Sequence, residues 1–324
     1  MEKKDERKKI CIIAPYSGTK SGGNLVLRKI KNHLNGKNEC TMLYAPPYLR
    51  VKGYRFLFRL AKYLRYILSG NLFKNKIYFC KTVPDVLFFS WPDDIEYVEE
   101  KKICRIVQVV QSDDIWGAEV ENVIKVKNKD SIEKVYVAKH LASDNGKDLI
   151  VNLFEMLGEI NSGSVGKRGQ ISSFISGAWF KGAYLNDYYS RLLANELNLE
   201  YVSFGQGGSS ISDRSLPYLK KPDLINILSQ SKLFISLSHH EGMPILVLEA
   251  IASGTLCVLS DIPAHREIFH NFPERVYLLD RSKKISDLKD EIKIKLNDFE
   301  NLPQLRSMNE EGYQSFDKIL ECIL

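Results

Sequence analysis

Short apolar runs alternate with longer amphipathic stretches along the chain. Residues 9–14 (KICIIA), 40–45, 85–90 (DVLFFS), 105–110 (RIVQVV), 134–138 and 149–152 (LIVN) are apolar on successive positions. That is the pattern of strands buried on both faces of a parallel sheet. Between them, 24–34 places Leu25, Val26, Ile30 and Leu34 at helical spacing, a second helix is expected over 50–68, and a short one near 140–145. A Gly- and Ser-rich basic stretch, 159–170, interrupts the alternation and reads as a linker. Strands then recur at 171–176, 201–204, 234–237, 256–259 and 275–279, and helices at 184–197, 222–229, 245–252, 285–296 and 302–324. Strands alternating with helices on both sides of a linker predict an α/β chain of two Rossmann-like, doubly wound domains. Their expected spans are 1–158 and 170–303, with a terminal helix over about 304–324 that could pack back on the first.

Composition narrows the class. With 324 residues, 44% hydrophobic and 27% charged, the chain resembles an ordinary globular protein long enough for two cores. Six scattered cysteines without a CxxC pair fit buried thiols in a reducing compartment better than a disulfide framework or a zinc site. The charged MEKKDERKK start runs straight into a strand, and no apolar run reaches the ~18 residues of a membrane span, so a cytoplasmic location is expected. The net charge of +6 is mild, and no nucleic-acid partner is expected. Its clustering matters more. In 50–68, Arg55, Arg59, Lys62 and Arg65 recur at helical spacing beside Phe56, Leu57, Leu60, Leu64, Ile67 and Leu68, with Tyr54, Tyr63 and Tyr66 among them. Such a helix suits either a core position with a solvated basic face or the surface of an anionic membrane.

The chemistry concentrates in 234–267, FISLSHHEGMPILVLEAIASGTLCVLSDIPAHREI. An apolar strand ends at a polar loop, Pro244 marks the start of a helix, and Gly254 ends it. Glu241 precedes the helix and Glu249 lies inside it, where a buried acid needs a partner. A helix start between two carboxylates offers free N–H groups and a positive dipole end, a cradle for a diphosphate. One extended anionic ligand, held at sugar, phosphate and ribose, fits this layout.

The stretch resembles the donor-binding signature of family 4 glycosyltransferases: an acid, seven residues and a second acid (Glu241-GMPILVL-Glu249), then an alanine-rich helix end, a glycine, a strand and a late acid, Glu267. The resemblance implies the GT-B fold, two Rossmann-like domains facing across a cleft, and a retaining, metal-independent transferase using a nucleotide-sugar. No cofactor or metal is expected, and no DxD triplet occurs. By resemblance, Glu241 is the catalytic residue beside the donor sugar and Glu249 binds the ribose. Gly242 and Met243, with Lys181, hold the diphosphate, and Gly205 and Gly207 form a turn near the nucleotide. Gly22 and Gly23, in a glycine loop before the first helix, approach phosphate and acceptor.

Two positions depart from the family pattern. Gln111, after the strand at 105–110, stands where a sugar-contacting histidine is usual, with Asp113 and Asp114 as substitutes. Ala178 stands where a phosphate-binding arginine is usual; Arg168, Arg191 and Arg214 are the arginines that could replace it. By family habit the acceptor is a glycan or lipid-linked sugar of a cell-surface polysaccharide, such as lipopolysaccharide or capsule. Those departures motivate an alternative: a nucleotide-sugar-binding partner subunit with little catalysis. A sugar-nucleotide epimerase using Glu241 with His239 or His240 is a third reading.

Overall fold

In a computed structural model of the chain, the described residues are 7–15, 22–45, 54–70, 72–74, 82–95, 103, 105–111, 120–142, 148–151, 157, 169–300 and 315–323. They fall into two compact units, Met1–Val151 with Tyr313–Leu324, and Asn152–Gly312.

The first unit is built on a six-stranded sheet. Its strands are β1 (Lys9–Pro15), β2 (Glu39–Ala45), β3 (Val86–Phe89), β4 (Arg105–Val110), β5 (Ile132–Tyr136) and β6 (Leu149–Ile150), in the order β2-β1-β3-β4-β5-β6. Every pairing is parallel. Ile10 to Ala14 are completely buried at its centre, as their unbroken apolar run requires. The helices are α1 (Gly22–Leu34), α2 (Tyr54–Leu68) and α3 (Val120–Lys127). α1 turns Val26, Leu27, Ile30 and Leu34 inward and leaves Leu25 exposed.

Several local expectations shift. β5 begins two residues early, because Val137 and Ala138, though buried, lie in the turn after the ladder. The helix expected over 140–145 is a short 3₁₀ turn, Lys139–Leu141, and 143–147 lie outside the described residues. After β3 the polar residues Pro92–Asp94 form a 3₁₀ turn that buries Asp93 and Asp94. There Asp93 accepts hydrogen bonds from Asn122 Nδ2 (3.0 Å) and Trp91 Nε1 (3.3 Å). Burial, with Asp93 beside it, holds the Asp94 carboxyl well above the usual carboxylate range. Tyr66 in α2 is a completely buried core residue.

After α3, the last helix of this unit comes from the chain end. Of the helix expected over 302–324, Phe316–Ile323 is described, and 301–314 lie outside the described residues. Ile319 and Ile323 on it are buried. Arg105, the first residue of β4, forks onto Glu133 of β5 and donates to the carbonyl oxygens of Ile323 and Cys322, the latter at 3.1 Å. Carbonyls of a last helical turn have no partner within their helix, so the guanidinium caps this one.

The second unit repeats the architecture. β7 (Gln170–Ile175), β8 (Glu200–Gly205), β9 (Arg214–Leu216), β10 (Ser231–Ser236), β11 (Leu256–Ser260) and β12 (Val276–Leu279) lie in the order β12-β11-β10-β7-β8-β9. All pairings are again parallel. The connecting helices are α4 (Ala183–Leu197), α5 (Lys221–Gln230), α6 (Ile245–Ala252), α7 (Pro263–Asn271) and α8 (Ile285–Glu300), so the helix at the chain end is α9. Leu288, Ile292, Leu296 and Phe299 of α8 join Tyr189, Leu193 and Ala194 of α4 in one core against the sheet. β9 had no apolar run to announce it; it is a three-residue edge strand with two exposed residues. The direction of winding reverses between β7 and β10. Such a switch point opens a crevice at the carboxyl ends of the strands, where sheets of this kind bind ligands.

Because Ile319 is buried in the first unit, Ile319→Ala should destabilise that unit by about 3 kcal/mol. Urea unfolding of the full chain measures this, and a loss below about 1 kcal/mol would show that α9 is not part of that core.

Candidate functional site

At the switch point, two loops meet. The first follows β7 and contains the 3₁₀ turn Trp179–Lys181, closed by Gly182 in the left-handed region at φ 62°. A Cβ on Gly182 would stand 2.1 Å from the carbonyl oxygen of Leu237, so only glycine allows this approach. The second loop follows β10 and runs from Leu237 to Pro244. His239 N–H donates to the carbonyl of Phe180 at 2.7 Å, and the His239 and Trp179 rings stack at 6.4 Å.

Asn186, in the first turns of α4 and 2% exposed, ties these segments together. Its Nδ2 donates to the carbonyls of Phe174 and Lys181, each at 3.1 Å, and its Oδ1 accepts from Leu237 N–H at 2.6 Å. One amide thus joins the end of β7, the carbonyl of Lys181 and the start of the second loop.

The two glutamates lie on this frame. Glu241 has a side chain 8% exposed, and both its oxygens are held: Oε2 by Lys181 Nζ at 2.6 Å, Oε1 by Ser238 Oγ at 2.8 Å. Glu249, equally buried on α6, pairs with Lys221, the first residue of α5. Each buried carboxylate therefore has one more exposed lysine for a partner, as burial of charge demands. α6 starts after Pro244 with no side-chain cap. The N–H groups of Gly242 and Met243, just before it, have no backbone acceptor among the described residues. A helix start with open donors, flanked by two lysines and two carboxylates, can take an anion at its centre and hydroxyl groups at either side.

The remaining predicted residues are distributed as follows. Gly205 ends β8 at φ 131°, and a Cβ there would fall 2.2 Å from the carbonyl oxygen of Ile175. This glycine serves the close packing of β8 on β7; Gly207 is exposed in the loop beyond. Gly22 and Gly23 are the first two residues of α1, not members of a loop before it. Gln111 is half-buried directly after β4, and Asp113 and Asp114 lie outside the described residues, as does Arg168. The other two arginines considered for the Ala178 gap are engaged elsewhere. Arg191 forks onto Asp213 and the carbonyl of Ile211, while Arg214 donates to Gln170 and lies 3.5 Å from Glu200. Gln170 and Glu200 open their strands, and Asp213 accepts the N–H of Tyr201 beside Glu200. Both arginines thus sit at the amino edge of the sheet, a strand length of roughly 16–20 Å from the crevice. Sequence reasoning missed Asn186, Ser238 and Lys221. A polar residue inside an apolar helical face was the one available signal, and it applied to Asn186 alone.

Residues 212–315, which include both glutamates, match the family described as glycosyl transferases group 1. A curated relative is the N,N'-diacetylbacillosaminyl-diphospho-undecaprenol alpha-1,3-N-acetylgalactosaminyltransferase of Campylobacter jejuni, 28% identical over 140 residues. That match covers 39% of this chain and 37% of the relative, so the chain spans well under half of that protein's length. Among solved structures, sucrose-phosphate synthase from Thermosynechococcus elongatus superposes with a TM-score of 0.59 at 10% identity, covering 98% of this chain and 95% of that one. WaaG, a glycosyltransferase involved in lipopolysaccharide biosynthesis, gives 0.52 at 11% identity, covering 97% and 99%. TarM gives 0.51 at 18% identity, covering 66% of this chain and about half, 48%, of that one. The two Rossmann-like units are the GT-B fold.

Replacing Asn186 by the similarly sized leucine strands a buried N–H and removes a donor shared by two carbonyls. Asn186→Leu should cost about 3 kcal/mol in the second unit. A urea midpoint unchanged from wild type would show that the amide does not hold the loops.

Proposed function

We propose that this chain, residues 212–315 of which match the glycosyl transferases group 1 family, moves a sugar from a nucleotide-sugar to a hydroxyl of a glycan or lipid-linked acceptor. One observation carries the reading: two buried glutamates, each paired with a lysine, flank an uncapped helix start at a sheet switch point. The Campylobacter relative, whose name gives a diphospho-undecaprenol-linked acceptor, supports the acceptor class.

In this reading the donor diphosphate lies at the start of α6, against the N–H groups of Gly242 and Met243 and the ammonium of Lys181. Glu249 accepts the ribose hydroxyls, with Lys221 fixing its rotamer. Glu241, held by Lys181 and Ser238, faces the sugar and stabilises the positive charge that develops at the anomeric carbon. The bond from that carbon to the phosphate oxygen breaks and its electron pair leaves with the nucleoside diphosphate, while the acceptor oxygen bonds to the carbon and its proton passes to the departing diphosphate. Transfer proceeds with retention and without a metal, Lys181 and the helix start neutralising the leaving group. The first unit, which contains Gly22, Gly23 and Gln111, is assigned the acceptor. The destination is a cell-surface polysaccharide.

Glu241→Gln should lower transfer roughly a hundredfold or more, the scale of losing one electrostatic contact to a transition state. Glu249→Gln should raise KM for the donor roughly tenfold with a smaller change in kcat. Unchanged turnover in both variants would remove the assigned site.

A second reading, a nucleotide-sugar-binding subunit with little catalysis, is favoured by the tied-up arginines, which leave Lys181 as the cation of its loop. Calorimetric titration with UDP-, GDP- and dTDP-sugars, followed by turnover with acceptor, separates the two: tight binding without turnover supports the subunit.

We also assign membrane contact to α2 and the short helical stretch 72–74 that follows it. Leu64, Ile67, Leu68, Leu72 and Phe73 are exposed there, with Leu68 at 87% and Phe73 at 70%. Arg65 and Lys74 beside them are exposed cations. Arg55, Arg59 and Lys62 have side chains outside the described residues. Apolar groups rimmed by cations suit an anionic lipid surface. The full chain should therefore sediment with phosphatidylglycerol vesicles and not with phosphatidylcholine ones. The double variant Leu68→Glu, Phe73→Glu should abolish sedimentation; retention of binding by that variant would rule out this face.

A further inference from the structure

Ser238, which holds Oε1 of Glu241, is itself held. Its carbonyl accepts the hydroxyl of Ser260, the last residue of β11. His265, the third residue of α7, brings Nδ1 to 3.1 Å from that same hydroxyl oxygen and to 2.9 Å from the Ser260 carbonyl oxygen. His265 is completely buried, and Ser238 and Ser260 are buried with it.

The direction of each bond follows from the hydrogens available. A carbonyl only accepts, so the one hydroxyl hydrogen of Ser260 goes to Ser238. Nδ1 of His265 must then carry a hydrogen, shared between the hydroxyl and carbonyl oxygens of Ser260. A carboxylate also only accepts, so the Ser238 hydroxyl donates to Glu241, at 2.8 Å. One chain therefore runs a single way, from α7 past the end of β11 to the loop after β10, and stops on the carboxylate. Polar groups buried like this are costly unless each is satisfied, and a fully satisfied chain is a rigid one.

This chain completes a clamp. β10 lies between β7 and β11 in the sheet. From the β7 side, Leu237 N–H is taken by Asn186 and His239 N–H by the carbonyl of Phe180. From the β11 side, Ser260 takes the carbonyl of Ser238, the residue between them. Three consecutive residues are thus anchored in turn, and Glu241 follows two positions later. The backbone of Ser260 pairs with Leu279 of β12 whatever its side chain, so the hydroxyl adds nothing to the ladder itself.

We infer that Ser260 and His265 are positioning residues for Glu241, acting through Ser238. Their effect on sugar transfer rests on the transferase reading; their hold on the carboxylate does not. On that reading Lys181, the other partner of Glu241, is shared with the diphosphate, so the serine chain is the hold that nucleotide-sugar binding leaves in place.

The test uses the full chain with Ser260→Ala, Ser260→Thr and His265→Phe. Crystal structures read the carboxylate, and release of nucleoside diphosphate from UDP-, GDP- and dTDP-sugars reads catalysis. Ser238 and Ser260 both line a cavity of about 550 Å³, so threonine has room for its methyl and keeps the hydroxyl. In Ser260→Ala the Glu241 carboxylate should move by about 0.5 Å or more, beyond the tolerance of a catalytic group. Its kcat should fall at least about tenfold while KM for the nucleotide-sugar stays within about twofold. Ser260→Thr should restore both position and kcat, which loss of packing alone would not explain. His265→Phe keeps a ring in place without the N–H and should give a smaller fall of the same kind. Should Ser260→Ala fail to fold, Ser260→Cys, a weaker hydrogen-bond donor of similar shape, carries the same expectations. The positioning role is overturned if Glu241 keeps its place in Ser260→Ala, if kcat there or in His265→Phe equals that of the wild type, or if threonine behaves as alanine does. A wild type that turns over no nucleotide-sugar, with Glu241 displaced in Ser260→Ala, would count against the transferase reading and leave the positioning standing.

Discussion

The second unit depends on one side-chain amide. At a switch point, neighbouring strands send their connections to opposite sides, so the loops after β7 and β10 part company as soon as they leave the sheet. Nothing in the β-ladder holds them beside each other. Asn186 does, by bonding to Phe174, Lys181 and Leu237 from a buried position. Gly182 lets the backbones come close enough for this to happen. Lys181 and Glu241 sit on the two loops so joined, and their 2.6 Å ion pair is a consequence of that joint. A leucine in place of the asparagine would fill the same space and remove three of the hydrogen bonds that join the loops, leaving the His239–Phe180 backbone bond to hold them.

The same frame explains the charge arrangement. A carboxylate buried to 8% exposure is costly unless a cation stays with it, and the chain supplies one lysine to each glutamate from a different element. The lysines are the more exposed partners, at 31% and 46%, so each pair has its cation toward solvent and its anion inward. An anionic ligand can approach the cations without first removing the acids from their sites. With no cap on α6, the helix start adds donors that need no rearrangement to be used.

Much of the fold was legible because parallel strands buried on both faces carry unbroken apolar runs, and β1, β3, β4, β10 and β11 do so. β9 escaped because an edge strand of three mostly exposed residues needs no such run. The Pro92–Asp94 turn is polar in composition yet buried, because Asn122 and Trp91 supply hydrogen bonds to Asp93; that burial in turn holds the Asp94 carboxyl above the usual range. Glu241 and Glu249 stood out as acids in an apolar context. Ser238 and Lys221 did not, since a serine before two histidines and a lysine opening a helix are ordinary until tertiary contacts give them a carboxylate to hold.

Ala178 is where sequence and structure press on the same point from two sides. The residue pattern leaves one fewer cation in the loop after β7, and the structure commits Arg191 and Arg214 to the opposite edge of the sheet. On the proposed reading, Lys181 then serves two anions, the leaving diphosphate and Glu241. An ammonium has three donors, so both can be satisfied, but its charge is divided between them. Glu241 keeps Ser238 as a second partner throughout, which fixes its direction even when Lys181 turns toward phosphate. The serine is thus the contact that lets one lysine do the work of two cations, and it is also the residue that the neighbouring cavity shares with the site.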